Sequence, residues 1–421
     1  MHIVFLTSQY HPNPTPNGLF TKQYCDMLKE GNHLTVICVQ TGNKALSGKL
    51  IDGIRVYSVT SFGNNLQQKI DSDARRVEPV KAHLYHKALQ MLNKPIRGFR
   101  SLFFYPSGLR WHIKKAYSCM EEINSRDPID CVCAISAPFS SFIAGMSWKN
   151  NHKSARLITF SLDTYTTGLV RNRNLLIRLL WENYSTRLER RIFATADFNF
   201  ITIGIQNDAD SIQCYPPEKT RVIPNLISFP QFEAEAEKAP DKLIFMYCGG
   251  FYKKIRNPKY MLDTLLCVDD LSFQLDLYIN CACQKIVDSA IYKSNGQFIR
   301  HSYLSSDEIC KEMCKADCLI DIGNDLVGAT PSKTFQYIAT GRPIILFAPA
   351  GYKSEALERY PLSLIIAQSV QSAKESAEVI KSFCLENRGK RLCTEEIKAL
   401  YPEHMWDEIM EQIRRAAYDG T

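Results

Sequence analysis

Two short stretches hold the side chains best suited to chemistry. In "YCGGFYKKIRNP", Gly249 and Gly250 precede Lys253, Lys254 and Arg256, and a helix is expected to begin near Pro258. Glycine at a strand end lets an anion approach the backbone, and cations at a helix start add charge-assisted hydrogen bonds. That is what a diphosphate needs. The plainer alternative is an ordinary turn with solvated lysines. The second stretch, "TPSKTFQYIATGRPII", spans residues 330–345 and frames a short helix. Thr330 suits the N-cap, Pro331 the first helical position and Gly341 the position beyond the end. Phe335, Ile338 and Ala339 supply a buried side. The amides around Gly328, Ala329, Thr330, Ser332 and Lys333 are expected to face a ligand. Lys333 adds a full charge, and Gln336 offers a donor and an acceptor to a ribose. Proline and glycine explain the frame of this helix. They do not explain the lysine.

Acid–base candidates are few. Asp163 in "LITFSLDTYTTG" follows an expected strand, with a carboxylate serving a turn as the alternative. "TSQYHPNPTPNGLFTKQY" leads from the first strand through a Pro-rich loop to Gly18 at a helix start. Neither G-x-G-x-x-G nor a Walker A motif occurs, which weakens dehydrogenase and ATPase readings. Asp71/Asp73 and Asp208/Asp210 follow no apolar strand, and His83 and His86 lack the glutamate of a zincin. No metal site is expected from them.

These side chains need elements to position them. Short apolar runs alternate with amphipathic helices, which points to parallel α/β sheets. Strands are expected at His2–Thr7, Leu34–Cys38, Arg55–Val59, Cys131–Ile135, Leu157–Phe160 and Phe198–Ile201. A second series covers Leu243–Cys248, Gln274–Ile279, Gln297–His301, Cys318–Asp321, Pro343–Phe347 and Leu364–Ala367. The expected architecture is two Rossmann-like doubly wound domains with an inter-domain cleft. The first covers 1–226, a Pro-, Glu- and Ala-rich linker covers 227–241, and the second domain covers 242–403. A final helix over 404–421 is expected to pack back on the first domain. Ligands in such sheets gather at the carboxyl ends of the strands.

The 421 residues are ordinary for globular domains, with 45% hydrophobic and 23% charged residues. Fifteen cysteines, an odd number, lie mostly in apolar runs without a CxxC pair, so buried thiols in a reducing cytosol are expected. No apolar run reaches the ~18 residues of a membrane span. The net charge of +7 is uneven. Residues 81–115 carry lysine and arginine without acidic residues, and 171–191 interleave arginine with Leu, Ile and Trp. Such segments suit the anionic inner face of a membrane, and equally a solvated helix face. Nucleic acid is not expected, because no recognition motif accompanies the charge.

Taken together, these pieces resemble the GT-B-fold glycosyltransferases, and within them family 4 of the capsule and O-antigen polysaccharide type. The resemblance runs through "IVFLTSQYHPNPTPNGLFTKQYCDMLKEGNHLTVI", "DCVCAISAPFSSFIAGM", "ITFSLDTY", "RLERRIFATADFNFIT", "KTRVIPNLIS", "YCGGFYKKIRNP", "SSDEICKEMCKADCLIDIG" and "PSKTFQYIATGRPII". It rests on their order and spacing together.

The resemblance implies a nucleotide-sugar donor on the second domain and a glycan or lipid-linked acceptor on the first. It implies transfer with retention, with neither metal nor cofactor. Arg256 matches the family's phosphate-binding arginine, with Lys253 or Lys254 beside it. Lys333 and Gly328–Ser332 match the diphosphate-binding helix start. Asp163 corresponds to an acidic position on the acceptor side, where Gly18 and Ser136 also fall. The family usually has two glutamates eight residues apart, but here those positions are Gly328 and Gln336. Ser136 stands where the family has a catalytic histidine. The two missing glutamates keep open a non-catalytic nucleotide-sugar-binding subunit, and a nucleotide-sugar epimerase of the same fold is a further alternative.

Overall fold

The computed structural model describes residues 1–11, 16–39, 47–59, 110–136, 138–167, 175–230, 242–253, 256–302, 304–323, 332–368 and 370–415. Asp71, Asp73, His83, His86, Lys254, Gly328, Ala329, Thr330, residues 231–241 and most of the basic stretch 81–115 lie outside them.

The first sheet contains β1 (His2–Thr7), β2 (His33–Val39), β3 (Ser47–Ile51), β4 (Ile54–Val59), β5 (Cys131–Ile135), β6 (Arg156–Ser161), β7 (Phe198–Ile201) and β8 (Thr220–Val222). Their spatial order is β3-β4-β2-β1-β5-β6-β7-β8. Every residue of β1 and β5 is buried, because helices cover both faces of a parallel sheet. Helices Arg110–Asn124, Ser140–Asn151 and Leu175–Thr195 pack Met120, Phe142, Trp148 and Phe193 against Val4, Leu6 and Val132. A Cβ at Gly145 would stand 2.8 Å from Leu157 Cδ1, so glycine brings its helix close to the sheet. The edge strand β3 departs from the sequence expectation. It is antiparallel to β4, joined through Asp52 and Gly53 at φ 51° and 83°. Its residues are largely exposed, so it lacks the apolar run that marks a buried strand.

The second sheet contains β9 (Leu243–Phe251), β10 (Phe273–Cys281), β11 (Phe298–Arg300), β12 (Cys318–Ile322), β13 (Ile344–Ala348) and β14 (Ser363–Ala367). The order is β11-β10-β9-β12-β13-β14, all parallel. Phe245, Leu275 and Ile320 centre one core cluster, while Met246, Leu319, Phe335 and Ile338 belong to another. Here β9 runs further than its apolar run predicts. Gly249 and Gly250 do not end the strand; they pair with Ile279 and Asn280 of β10. Neighbouring rings explain the glycines. A Cβ at Gly250 would lie 2.7 Å from the Tyr252 ring.

The chain divides into two compact units, Met1–Ile223 with Gln412–Thr421, and Pro224–Glu411. Ile227 is buried in the second unit, where its amide donates to the His404 carbonyl at 3.1 Å. The last described helix, Trp406–Arg414, buries Ile409, Met410 and Ile413. Cys131, Cys133, Cys314, Cys318 and Cys384 are buried thiols. No helix among the described residues is long and apolar enough to cross a membrane.

Candidate functional site

In the second unit the strand order reverses at β9, which has β10 on one side and β12 on the other. Crevices at the carboxyl ends of such strands accept ligands. β12 pairs with β9 only as far as Tyr247. At the next residue, helix Ser332–Ile338 takes over through Tyr337. The Tyr337 hydroxyl accepts from Cys248 N at 2.9 Å and donates to Cys248 O at 3.3 Å. Thr334 of that helix donates to the buried Asp321 carboxylate on β12 at 2.6 Å. The helix carrying Lys333 is therefore tied to both strands of the crevice.

Lys333 donates to Gln336 Oε1 at 2.7 Å. It also reaches the half-buried Cys248 thiol. Burial raises that thiol's pKa, while the charge and hydrogen bond of Lys333 pull it down. Arg256 folds against the same strand end. Its backbone exchanges hydrogen bonds with Tyr252 at 3.0 and 3.2 Å, and a Cβ at Gly249 would lie 3.5 Å from Arg256 Nη1. The same Cβ would lie 3.2 Å from Tyr247 Oη. Burial pushes Asp321 above the usual carboxylate range, and the Thr334 hydrogen bond and the Arg256 charge oppose the shift. Tyr352 closes the wall beyond β12, where a Cβ at Gly323 would stand 2.9 Å from its ring.

Gly249, Gly250, Arg256, Lys333 and Gln336 thus gather at the ends of β9 and β12. Lys253 is exposed in the turn after β9, and Ser332 opens the helix. That helix has only seven residues, so the side-chain cations contribute more than its dipole. The buried polar residues Asp321, Thr334 and Tyr337 were not singled out from the sequence. A carboxylate inside the apolar run "CLIDIG" was the available signal.

The first unit has its own reversal point between β1 and β5. Asn17, next to Gly18, donates its side-chain amide to the Ser136 carbonyl. Thr21 donates to Asn17 O at 2.7 Å and lies 2.8 Å from the Thr7 hydroxyl. Ser136 Oγ accepts from Leu162 N at 2.8 Å, one residue before Asp163. Gly18, Ser136 and the Asp163 loop are linked at the carboxyl ends of β1, β5 and β6. Gly18 lies within the first turn of helix Pro16–Leu28, which starts earlier than its apolar face predicts because proline suits that position. Asp163 keeps solvent contact, while surrounding protein raises its carboxyl above the ordinary value. Asp208 serves a turn, accepting from Ser211 N, Asp210 N and the Thr167 hydroxyl.

No protein-family model matches the chain, and no curated protein sequence does. Solved structures do match. The lipopolysaccharide outer core galactosyltransferase WaaB aligns over 100% of both chains at 10% identity, with a TM-score of 0.57. HepE from Anabaena, solved with UDP and glucose, aligns over 100% of both chains at 12% identity and 0.59. A UDP-forming trehalose-phosphate synthase from Burkholderia xenovorans, solved with glucose-6-phosphate, covers 99% of this chain and 100% of its own at 10% identity and 0.59. The fold is GT-B. In a GT-B chain the two reversal points are one per Rossmann-like unit, as found here at β1/β5 and β9/β12.

Proposed function

We propose that this GT-B protein is a glycosyltransferase that moves a sugar from a nucleotide-diphosphate donor to a glycan or lipid-linked acceptor. The observation that carries the reading is the gathering of Arg256 and Lys333 on the last residues of β9, where that strand parts from β12. Two cations beside glycine backbone match the charge and shape of a diphosphate. Gln336, one turn along from Lys333, is the ribose partner. The acceptor belongs at the β1/β5 end of the first unit, beside Ser136 and Asp163.

Neither metal nor cofactor is required on this reading, because protein cations meet the leaving-group charge. Transfer proceeds with retention, in the manner of family 4. HepE, solved with UDP and glucose, makes a nucleotide-sugar donor the natural starting point, and WaaB, a lipopolysaccharide outer core galactosyltransferase, a surface-polysaccharide role. The arginine-bearing helix Leu175–Thr195 would hold the protein against the cytoplasmic face of an anionic membrane.

A second reading is favoured by one observation. Lys333 is bonded to the neutral Gln336 rather than to a carboxylate, so residue 336 supplies no negative charge to a developing oxocarbenium ion. A non-catalytic sugar-nucleotide-binding subunit would look the same. Thermal stabilisation across a panel of nucleoside diphosphates tests binding, since a selective ligand raises stability by mass action. Sugar transfer to membrane-extracted acceptor then separates the two readings. No stabilisation by any nucleoside diphosphate would overturn both.

A further inference from the structure

The opposite end of the first sheet carries a second convergence of side chains, which the proposed reaction does not use. His2 begins β1, His33 begins β2, and Asp127 lies in the turn before β5. His2 Nδ1 stands 3.3 Å from Asp127 Oδ2, and His33 Nδ1 contacts the same oxygen. All three donor atoms lie within 4.8 Å of one another. A tetrahedral ion with bonds of roughly 2.0–2.1 Å has donor–donor edges of about 3.4 Å. The His2–Asp127 pair already has that spacing.

The backbone at each position is held in place. His2 N donates to Asp130 Oδ2 at 2.7 Å, Asp130 N donates to His2 O at 3.0 Å, and His33 N donates to Met1 O at 2.9 Å. His2 is buried, and its Nε2 lies 3.0 Å from the Thr35 hydroxyl. Such a partner on the far ring nitrogen sets the orientation of a metal-ligating histidine. The two imidazoles stack at 4.4 Å with 21° between planes, and His2 Nδ1 also lies 3.2 Å from the Asp127 carbonyl oxygen. Binding one ion replaces that carbonyl contact and turns the exposed His33 ring out of the stack, because each nitrogen lone pair lies in its ring plane. His33 and Asp127 are each 44% exposed, leaving room for water at the remaining coordination positions.

We propose that His2 Nδ1, His33 Nδ1 and Asp127 Oδ2 bind a divalent ion of the later first transition row, in the class of zinc, cobalt and nickel. Two imidazoles and one carboxylate suit these borderline ions better than magnesium or calcium. The ion ties together three chain segments at the amino-terminal edge of the sheet. Six residues of β1, at about 3.3 Å each, separate it from the carboxyl-end site. Its role is to brace the first unit rather than to take part in transfer.

The test is cobalt(II) absorption by the full chain after chelator treatment, with zinc competition and thermal melting alongside. The expected result is a nitrogen/oxygen-type d–d spectrum that zinc abolishes, and a zinc-dependent rise in melting temperature of about 5 °C at 100-fold excess over Kd. Both signals are lost in His33→Ala and in Asp127→Asn, two exposed positions whose metal-free melting should match the parent. The second variant keeps the test decisive should the first fold poorly. A featureless cobalt titration, a thiolate-to-cobalt charge-transfer band, or a spectrum that survives in both variants would overturn the proposal.

Discussion

The Tyr337 hydroxyl bridges the backbone of Cys248, accepting from its amide at 2.9 Å and donating to its carbonyl at 3.3 Å. It occupies the place a further β12 residue would hold, one step past the last β9–β12 pair. The strands can therefore part without leaving a buried amide unpaired, and the helix bearing Lys333 is held at the opening.

Tyr337→Phe removes that bridge and leaves both backbone groups of Cys248 without a partner. A loss of about 1–3 kcal/mol is expected, measured by urea denaturation. Nucleoside-diphosphate affinity should fall as well, because the Lys333 helix loses its tie to β9. Unchanged stability would show that water replaces the hydroxyl without cost.

Lys333→Ala should weaken nucleoside-diphosphate binding by roughly 10–100-fold, the range of a lost charge-assisted hydrogen bond. Stability should barely change, since the exposed Lys333–Gln336 contact contributes little. Calorimetric titration of the variant checks both claims. Arg256→Ala should weaken binding similarly and leave the Tyr252–Arg256 turn in place, because its two hydrogen bonds are backbone to backbone.

Glu189 gives a pH prediction for the first unit. It is buried, accepts a hydrogen bond from Thr166, and burial pushes its carboxyl up to about 7. The folded state therefore holds a proton that the unfolded chain releases near pH 4.5. Its destabilising contribution is absent below that value, grows as pH rises, and is complete above about 7, reaching on the order of 3 kcal/mol. Glu189→Gln should flatten that part of the profile. Parallel slopes for parent and variant in denaturant unfolding from pH 4.5 to 8 would rule the account out.

Gly341 closes the Lys333 helix at φ 73°, and a Cβ there would stand 2.1 Å from Leu392 O. Gly341→Ala combines left-handed strain with a backbone clash, and should cost about 2–4 kcal/mol by chemical denaturation. The damage should reach the segment around Leu392, since Gly341 O also accepts from Leu392 N at 2.9 Å.

Much of this molecule was legible in its residues. β1, β5 and β7 sit where short, mostly apolar runs place them, because a strand buried on both faces carries few polar side chains. Gly341 was legible as a helix stop, because few other residues tolerate its φ. Lys333 stood out because no structural need called for it. What the sequence could not show is what depends on contacts between distant residues. The glycine pair of β9 looked like a turn and is strand, because the rings of Tyr247 and Tyr252 fill the space a side chain would take. The edge strand β3 carries no apolar signature, since its partner β4 alone holds it. The ties of Tyr337 to Cys248, Thr334 to Asp321, and His2 and His33 to Asp127 join residues up to 125 positions apart. Local periodicity reports which face of an element is buried; only folding decides which buried polar groups meet.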